Sequence, residues 1–205
     1  MRLFLPINGN KRFTALCREH PNNLGYIIGP SYYQKPKEGI AFVADNDAFK
    51  YWRDKRPFEE AEWFGMIGKI YKSGLEPLWI VIPDSVCDRD GTLRNWEKFS
   101  PMITGYQKAF VLQDGMKIGD VPEADVYFVG GSTEFKWSTA HYWIKHLPRV
   151  HVGRVRSRRL LYCEKIGAES CDGSGWLRET VNGRPFKQME AWLEKCNVQH
   201  EFVDL

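Results

Sequence analysis

The residues of this chain best suited to chemistry sit just after short apolar runs, and most of them are carboxylates. Ile40-Ala41-Phe42-Val43 is followed by Asp45-Asn46-Asp47, Leu78–Ile82 by Pro83-Asp84-Ser85, and Ala109–Leu112 by Gln113-Asp114-Gly115. Val126–Val129 leads into Gly130-Gly131-Ser132, and Val150-His151-Val152 into Gly153-Arg154. A weaker run, Ala168–Cys171, leads into Asp172-Gly173-Ser174-Gly175. A single aspartate in such a place is an ordinary turn former or helix cap. Four run ends carrying carboxylates, beside a Gly-Gly end, form a set. Brought together, like charges raise one another's pKa values, which suits acid/base or nucleophilic work.

The elements that must position this set are legible as an alternation. Leu3-Phe4-Leu5 and Tyr26-Ile27-Ile28 complete a series of eight apolar runs. Amphipathic segments lie between several of them. After Pro57, Glu59 and Glu60 open a helix with Trp63, Met66, Ile67 and Ile70 on one face, and Gly74 ends it. Further helices are expected from Thr92 with Leu93, Trp96 and Phe99, from Glu134 to His146, from a Ser157 N-cap to Gly167, and from Pro185 onward. Continuous apolar strands alternating with helices predict a parallel sheet covered on both faces. Eight strands predict one compact (β/α)8 barrel of the TIM type spanning residues 1–205, with irregular first and second units. An open doubly wound sheet is the alternative. Both folds gather their sites at the carboxyl ends of the strands.

Six segments also appear in a telling order: Ala44-Asp45-Asn46-Asp47-Ala48-Phe49, Ile82-Pro83-Asp84, Val111-Leu112-Gln113-Asp114-Gly115, Phe128-Val129-Gly130-Gly131-Ser132, Val150-His151-Val152-Gly153-Arg154-Val155 and Gly167-Ala168-Glu169-Ser170-Cys171-Asp172-Gly173. Together they resemble the tRNA-guanine transglycosylase superfamily, and most closely its short branch associated with 7-deazaguanine modification of DNA. The resemblance implies that Asp172 is a nucleophile toward a sugar anomeric carbon and Asp45 a general acid/base. It implies that Asp84 reads the Watson–Crick edge of guanine. Gln113, Asp114 and the Gly130-Gly131 backbone would contact the base. Position 47 is Asp where the family usually has glycine, a substitution that left-handed backbone tolerates better for Asp than for most residues. Asp47 is therefore a second candidate for the acid/base and for base contact. The tRNA enzymes carry a cysteine-rich zinc site after the nucleophile, whereas only Cys196 and His200 follow residue 175 here. That favours DNA over tRNA as substrate.

Elementary chemistry agrees with those roles. Breaking an N-glycosidic bond builds positive charge on the sugar, which a carboxylate can trap covalently. The departing purine needs a proton and the incoming base must lose one. A carboxylate accepts paired N–H bonds, glycines admit a flat ring, and a duplex target must be flipped out of its stack.

Arg154, Arg156, Arg158 and Arg159 crowd the start of a predicted helix, where they oppose its dipole unless an anion binds. Arg154, Arg158, Arg159 and Lys136 are the candidate phosphate contacts, with Trp137 as a platform for a flanking base. A solvated basic face is the plain alternative.

Composition sets outer limits. Across 205 residues the apolar share is 43%, the charged share 27% and the net charge +3. Those values exclude a disordered chain or a histone-like polycation, so nucleic-acid binding requires a local patch. Five cysteines without CxxC spacing predict free thiols in a reducing compartment and no structural metal. No run reaches the ~20 apolar residues of a membrane span. The expectation is a cytoplasmic enzyme without cofactor or membrane, acting on nucleic acid and a free 7-deazaguanine-type base. Its small size leaves room for an accessory protein that presents the substrate. The rivals are an N-glycoside hydrolase, a non-catalytic nucleic-acid-binding module, and a barrel with Gly130-Gly131-Ser132 as a sugar-phosphate loop.

Overall fold

The computed structural model describes residues 1–7, 9–177 and 183–201, apart from the side chains of 197–201. His200 is among those side chains and lies outside the described residues. The strands are β1 (Arg2–Pro6), β2 (Leu24–Ile28), β3 (Phe42–Ala44), β4 (Ile80–Val81), β5 (Lys108–Leu112), β6 (Val126–Val129), β7 (Val150–Val152) and β8 (Ser170–Asp172). Each pairs in parallel with the next, and β8 returns to β1 with Leu3 opposite Cys171 and Phe4 opposite Asp172. That last ladder closes the barrel and removes the open sheet from consideration.

Side-chain alternation divides strands β1 to β6 between two apolar regions. Phe4, Ile27, Val43, Trp79, Val81, Ala109, Val111, Val126 and Phe128 form one buried cluster, the filling of the barrel. Their neighbours in sequence face the helices. Leu3, Leu5, Tyr26, Ile28, Ile80 and Ile82 pack with Trp63, Met66, Ile67 and Ile70, while Phe110, Leu112, Tyr127 and Val129 pack with Ala140 and Trp143. Burial on both faces is why the strands read as unbroken apolar runs.

The helices are α1 (Lys11–Glu19), α2 (Ala48–Arg53), α3 (Glu60–Ser73), α4 (Arg89–Phe99), α5 (Thr133–His146), α6 (Leu160–Lys165) and α7 (Arg184–Glu201). The expected apolar face of α3 is buried, and Gly74 caps it at φ 66°. Helix α4 starts three residues before Thr92, because the Asp88 side chain accepts the Gly91 N–H. Ser132 caps α5 in the same way through Phe135.

Two local expectations are corrected. The first unit is regular, with Asn10 capping a nine-residue helix that buries only Phe13, Thr14 and Cys17, too few residues to mark it by periodicity. The irregular units are the second and fifth, which have single 3-10 turns at Pro30–Tyr32 and Ile118–Asp120. Residues Ser157–Arg159 form a 3-10 turn and α6 begins only at Leu160, so Ser157 is no N-cap. Among the described residues no helix is long and apolar enough to cross a membrane.

Candidate active site

The parity of the barrel filling predicts which residues rise from its rim. Two positions beyond Val43, Val111 and Phe128 stand Asp45, Gln113 and Gly130, and two beyond Ser170 stands Asp172. All four line one pocket, together with Asn46, Phe49, Asp84, Val86, Gly131 and Arg154 over a floor of Val81, Val111 and Phe128. Its cavity volume is about 50 Å³, smaller than a small-ligand site usually encloses. Another cavity, at the opposite end of the barrel, is lined by Met1, Arg2, Trp79 and Glu169 and holds none of the sequence-predicted residues. Barrel chemistry gathers at the carboxyl end, so the first pocket is the functional candidate.

Asp172 is fixed through one oxygen. Its Oδ1 accepts the Arg154 backbone N–H at 3.0 Å and lies 3.0 Å from His151 Nε2. The other ring nitrogen, Nδ1, lies 2.8 Å from the Ser170 hydroxyl. His151 is fully buried between Phe128 and Trp79, with ring centroids 4.5 and 5.0 Å away. Among the described residues no hydrogen bond reaches Asp172 Oδ2, which leaves one oxygen available for attack.

Asp45 is held differently. Its Oδ1 accepts only the adjacent Asn46 N–H at 2.8 Å. Burial, then the charges of Asp47 and Asp172, push its carboxyl well above the usual range.

Asp84 and Gln113 form a polar wall. Asp84 Oδ1 accepts the Asn46 amide at 2.7 Å and Oδ2 the Gln113 amide at 2.6 Å. Gln113 Oε1 in turn accepts the Cys87 N–H at 2.9 Å. Burial raises the Asp84 carboxyl to about 6, against the opposing pull of the Asn46 amide and the Arg154 charge. Gly130 completes this wall: a Cβ there would come within 2.6 Å of Val111 and 3.3 Å of the Gln113 amide. Gly131 follows at φ 62°, which suits glycine.

Arg154 crosses the pocket. Its guanidinium lies 3.7 Å from the centroid of the Phe49 ring and donates to the Gly131 carbonyl, tying the loops after β3, β6 and β7 together. Its backbone sits at φ 55°, and this turn aims the N–H at Asp172. A left-handed arginine in a site is strain of the kind that positioned chemistry tolerates.

Several predicted residues are used otherwise. Asp47 Oδ2 accepts the Ser31 N–H and hydroxyl at 2.9 and 2.6 Å, which turns it to the loop after β2. Its φ of 59° is the left-handed turn expected from the glycine it replaces. Asp114 accepts the Ser132 N–H and hydroxyl at 2.7 and 2.5 Å. Burial opposes its charge, yet the Ser132 donors hold its carboxyl below the usual range. Neither Asp47 nor Asp114 lines the pocket.

The basic cluster is spread over different environments. Lys136 is buried, donates to the Gly153 carbonyl at 2.7 Å, and is lowered by burial to about 8, so it offers no surface charge to a phosphate. Arg154 belongs to the pocket. Arg156, Arg158 and Arg159 are exposed, but Arg159 stacks on Trp137 and Tyr162, which removes Trp137 as an open platform.

Sequence reasoning missed the roles of His151, Asn46, Phe49 and Tyr32. The Tyr32 hydroxyl is pushed well up by burial and then by the charges of Asp45, Asp47 and Asp172. No group of three or more His, Cys, Asp or Glu is placed to hold a metal ion among the described residues.

No protein-family model matches the sequence, and no curated protein matches it. Among solved structures, the BexX/CysO complex of Amycolatopsis orientalis is similar at 9% identity and a TM-score of 0.54, over 89% of this chain and 83% of that one. A 3-hexulose-6-phosphate synthase aligns at 10% identity and a TM-score of 0.48, over 93% and 99% of the two chains. At such identities the likeness is one of architecture, and the chain is a closed eight-stranded (β/α)8 barrel.

Proposed function

We propose that this barrel is an enzyme that exchanges a guanine in nucleic acid, DNA in our reading, for a 7-deazaguanine-type base through a covalent bond between Asp172 and the sugar. The observation that carries the reading is the division of labour in one pocket. A carboxylate with a free oxygen (Asp172), a carboxyl pushed up in pKa (Asp45) and a carboxylate–amide wall (Asp84 and Gln113) line the same space. The ordered motif resemblance supplies the identity of the base and the choice of DNA.

The steps follow from the residues. Asp172 Oδ2 attacks the anomeric carbon as the bond from that carbon to the purine nitrogen breaks. Asp45 gives its proton to the departing base. The incoming base then returns a proton to Asp45 and attacks the anomeric carbon, which frees the Asp172 carboxylate. His151 and the Arg154 N–H spread the charge on Oδ1 and fix the approach of Oδ2. Asp84 accepts paired N–H groups from the base edge, and the Gly130-Gly131 rim lets the ring lie flat.

Incubation of the protein with DNA and labelled guanine tests this reading. Label entering the polymer supports exchange. Release of free guanine without incorporation would instead favour glycoside hydrolysis, which the same carboxylate pair can support.

A further inference from the structure

We infer that the outer edge of α2 is a docking surface for a single DNA strand, with Trp52 stacking on a base beside the nucleotide held in the pocket. This rests on the base-exchange reading for its orientation, but not for its test. Phe49 lines the pocket beneath Arg154, and Trp52 lies one helical turn further on with its ring centroid 5.5 Å from that of Phe49. An aromatic surface thus runs from the pocket wall to the outside. Trp52 is 51% exposed, a large ring held in water on a six-residue helix.

Charge surrounds that ring. Lys50, Arg53, Lys55 and Arg56 lie within seven residues, against one acid, Asp54. Asp54 is held below its usual range first by the Arg53 hydrogen bond and also by the Lys50 and Arg56 charges, which places these cations together. Of the three acids that follow in sequence, Glu62 accepts the Tyr51 hydroxyl and Glu60 pairs with Lys98. A positive edge with an open aromatic ring is what a single strand recognises, through phosphates and one stacked base. Helix α2 begins three residues after Asp45, so a strand held there delivers its neighbouring, extruded nucleotide to Asp45 and Asp172. Near β7, Lys136 is buried, Arg154 lies in the pocket and Arg159 stacks on Trp137, which leaves Arg156 and Arg158 as the exposed cations there.

The test is binding of a short labelled single-stranded DNA to the full chain, without free base, read by fluorescence anisotropy across salt concentrations. Trp52→Ala should weaken binding by about tenfold, and Trp52→Phe should restore most of it. A Lys50→Gln, Arg53→Gln, Arg56→Gln triple variant should reduce the slope of log Kd against log salt by about two. Lys145→Gln and Lys165→Gln, in the last turns of α5 and α6 at the other end of the barrel, should change neither. Unaltered affinity and slope in the α2 variants would overturn the inference, as would tighter binding of an RNA strand of the same sequence. Weakened DNA binding in Trp52→Ala without any label exchange would leave the surface standing and sink the chemistry. Normal DNA binding in the α2 variants alongside active exchange would do the reverse.

Discussion

The loops after β3 and β5 place similar residues in opposite service. After β3, Asp45 faces the pocket and Asp47 clamps Ser31 in the preceding loop. After β5, Gln113 faces the pocket and Asp114 clamps Ser132 in the following one. Each clamp is a carboxylate accepting both the N–H and the hydroxyl of one serine. The inward residues differ. Asp45 has a single local donor and a raised carboxyl, whereas the Gln113 amide is spent on Asp84 and the Cys87 N–H. In the proposed reaction the β3 side moves the proton, and the β5 side holds the Asp84 carboxylate that accepts the base edge. Position relative to the strand, more than residue type, separates chemistry from architecture.

The sharpest test of that division is Asp172→Asn, which keeps the shape and removes the nucleophile. Exchange should fall at least about a thousandfold while the thermal melt stays cooperative. A near-normal rate would remove the covalent mechanism. Next comes the pair within the β3 loop. Asp45→Asn should cost exchange on the order of 10²–10⁴-fold with little change in stability. Asp47→Asn should instead lose about 2 kcal/mol in urea unfolding, because it weakens two charge-assisted bonds to Ser31. A reversal of those two outcomes would exchange their roles.

A smaller effect concerns pH. The Asp84 carboxyl, raised by burial to about 6, accepts base N–H groups only when ionised. Base affinity by calorimetry should therefore hold above pH 6 and decline below it, and Asp84→Asn should abolish that dependence. Exchange itself should also fall as pH rises through the raised value of Asp45, since the first step needs its proton. The smallest effect is expected for Ser132→Ala, about 1–2 kcal/mol of stability from the lost α5 cap and the lost hydroxyl bond to Asp114, with base affinity retained.

Much of this arrangement was legible in the sequence, for identifiable reasons. Strands buried on both faces leave unbroken apolar runs, so all eight were visible, even the weakly apolar one that ends in Asp172. The residues just past them marked the rim. What stayed hidden depended on closure and direction. His151 reads as one polar residue in an apolar strand until the β7–β8 register sets it opposite Ser170 and within reach of Asp172. Lys136 reads as a surface lysine of α5 until its stem is found running inward to the Gly153 carbonyl. Asp45 and Asp47 are equal candidates as letters, and only the left-handed turn at Asp47 points one of them away.

The ladder between β1 and β8 has a consequence in time. It joins Arg2 to Ser170, so the chain must close a loop of nearly its whole length before the ring of strands is complete. Contacts that distant in sequence form late and slowly. The Gly173 N–H donates to the Phe4 carbonyl, so the turn that carries Asp172 is anchored by this same late seam. A half-assembled molecule thus lacks the seam that holds Asp172, and under the proposed chemistry reactivity toward a sugar would arise only with the finished barrel.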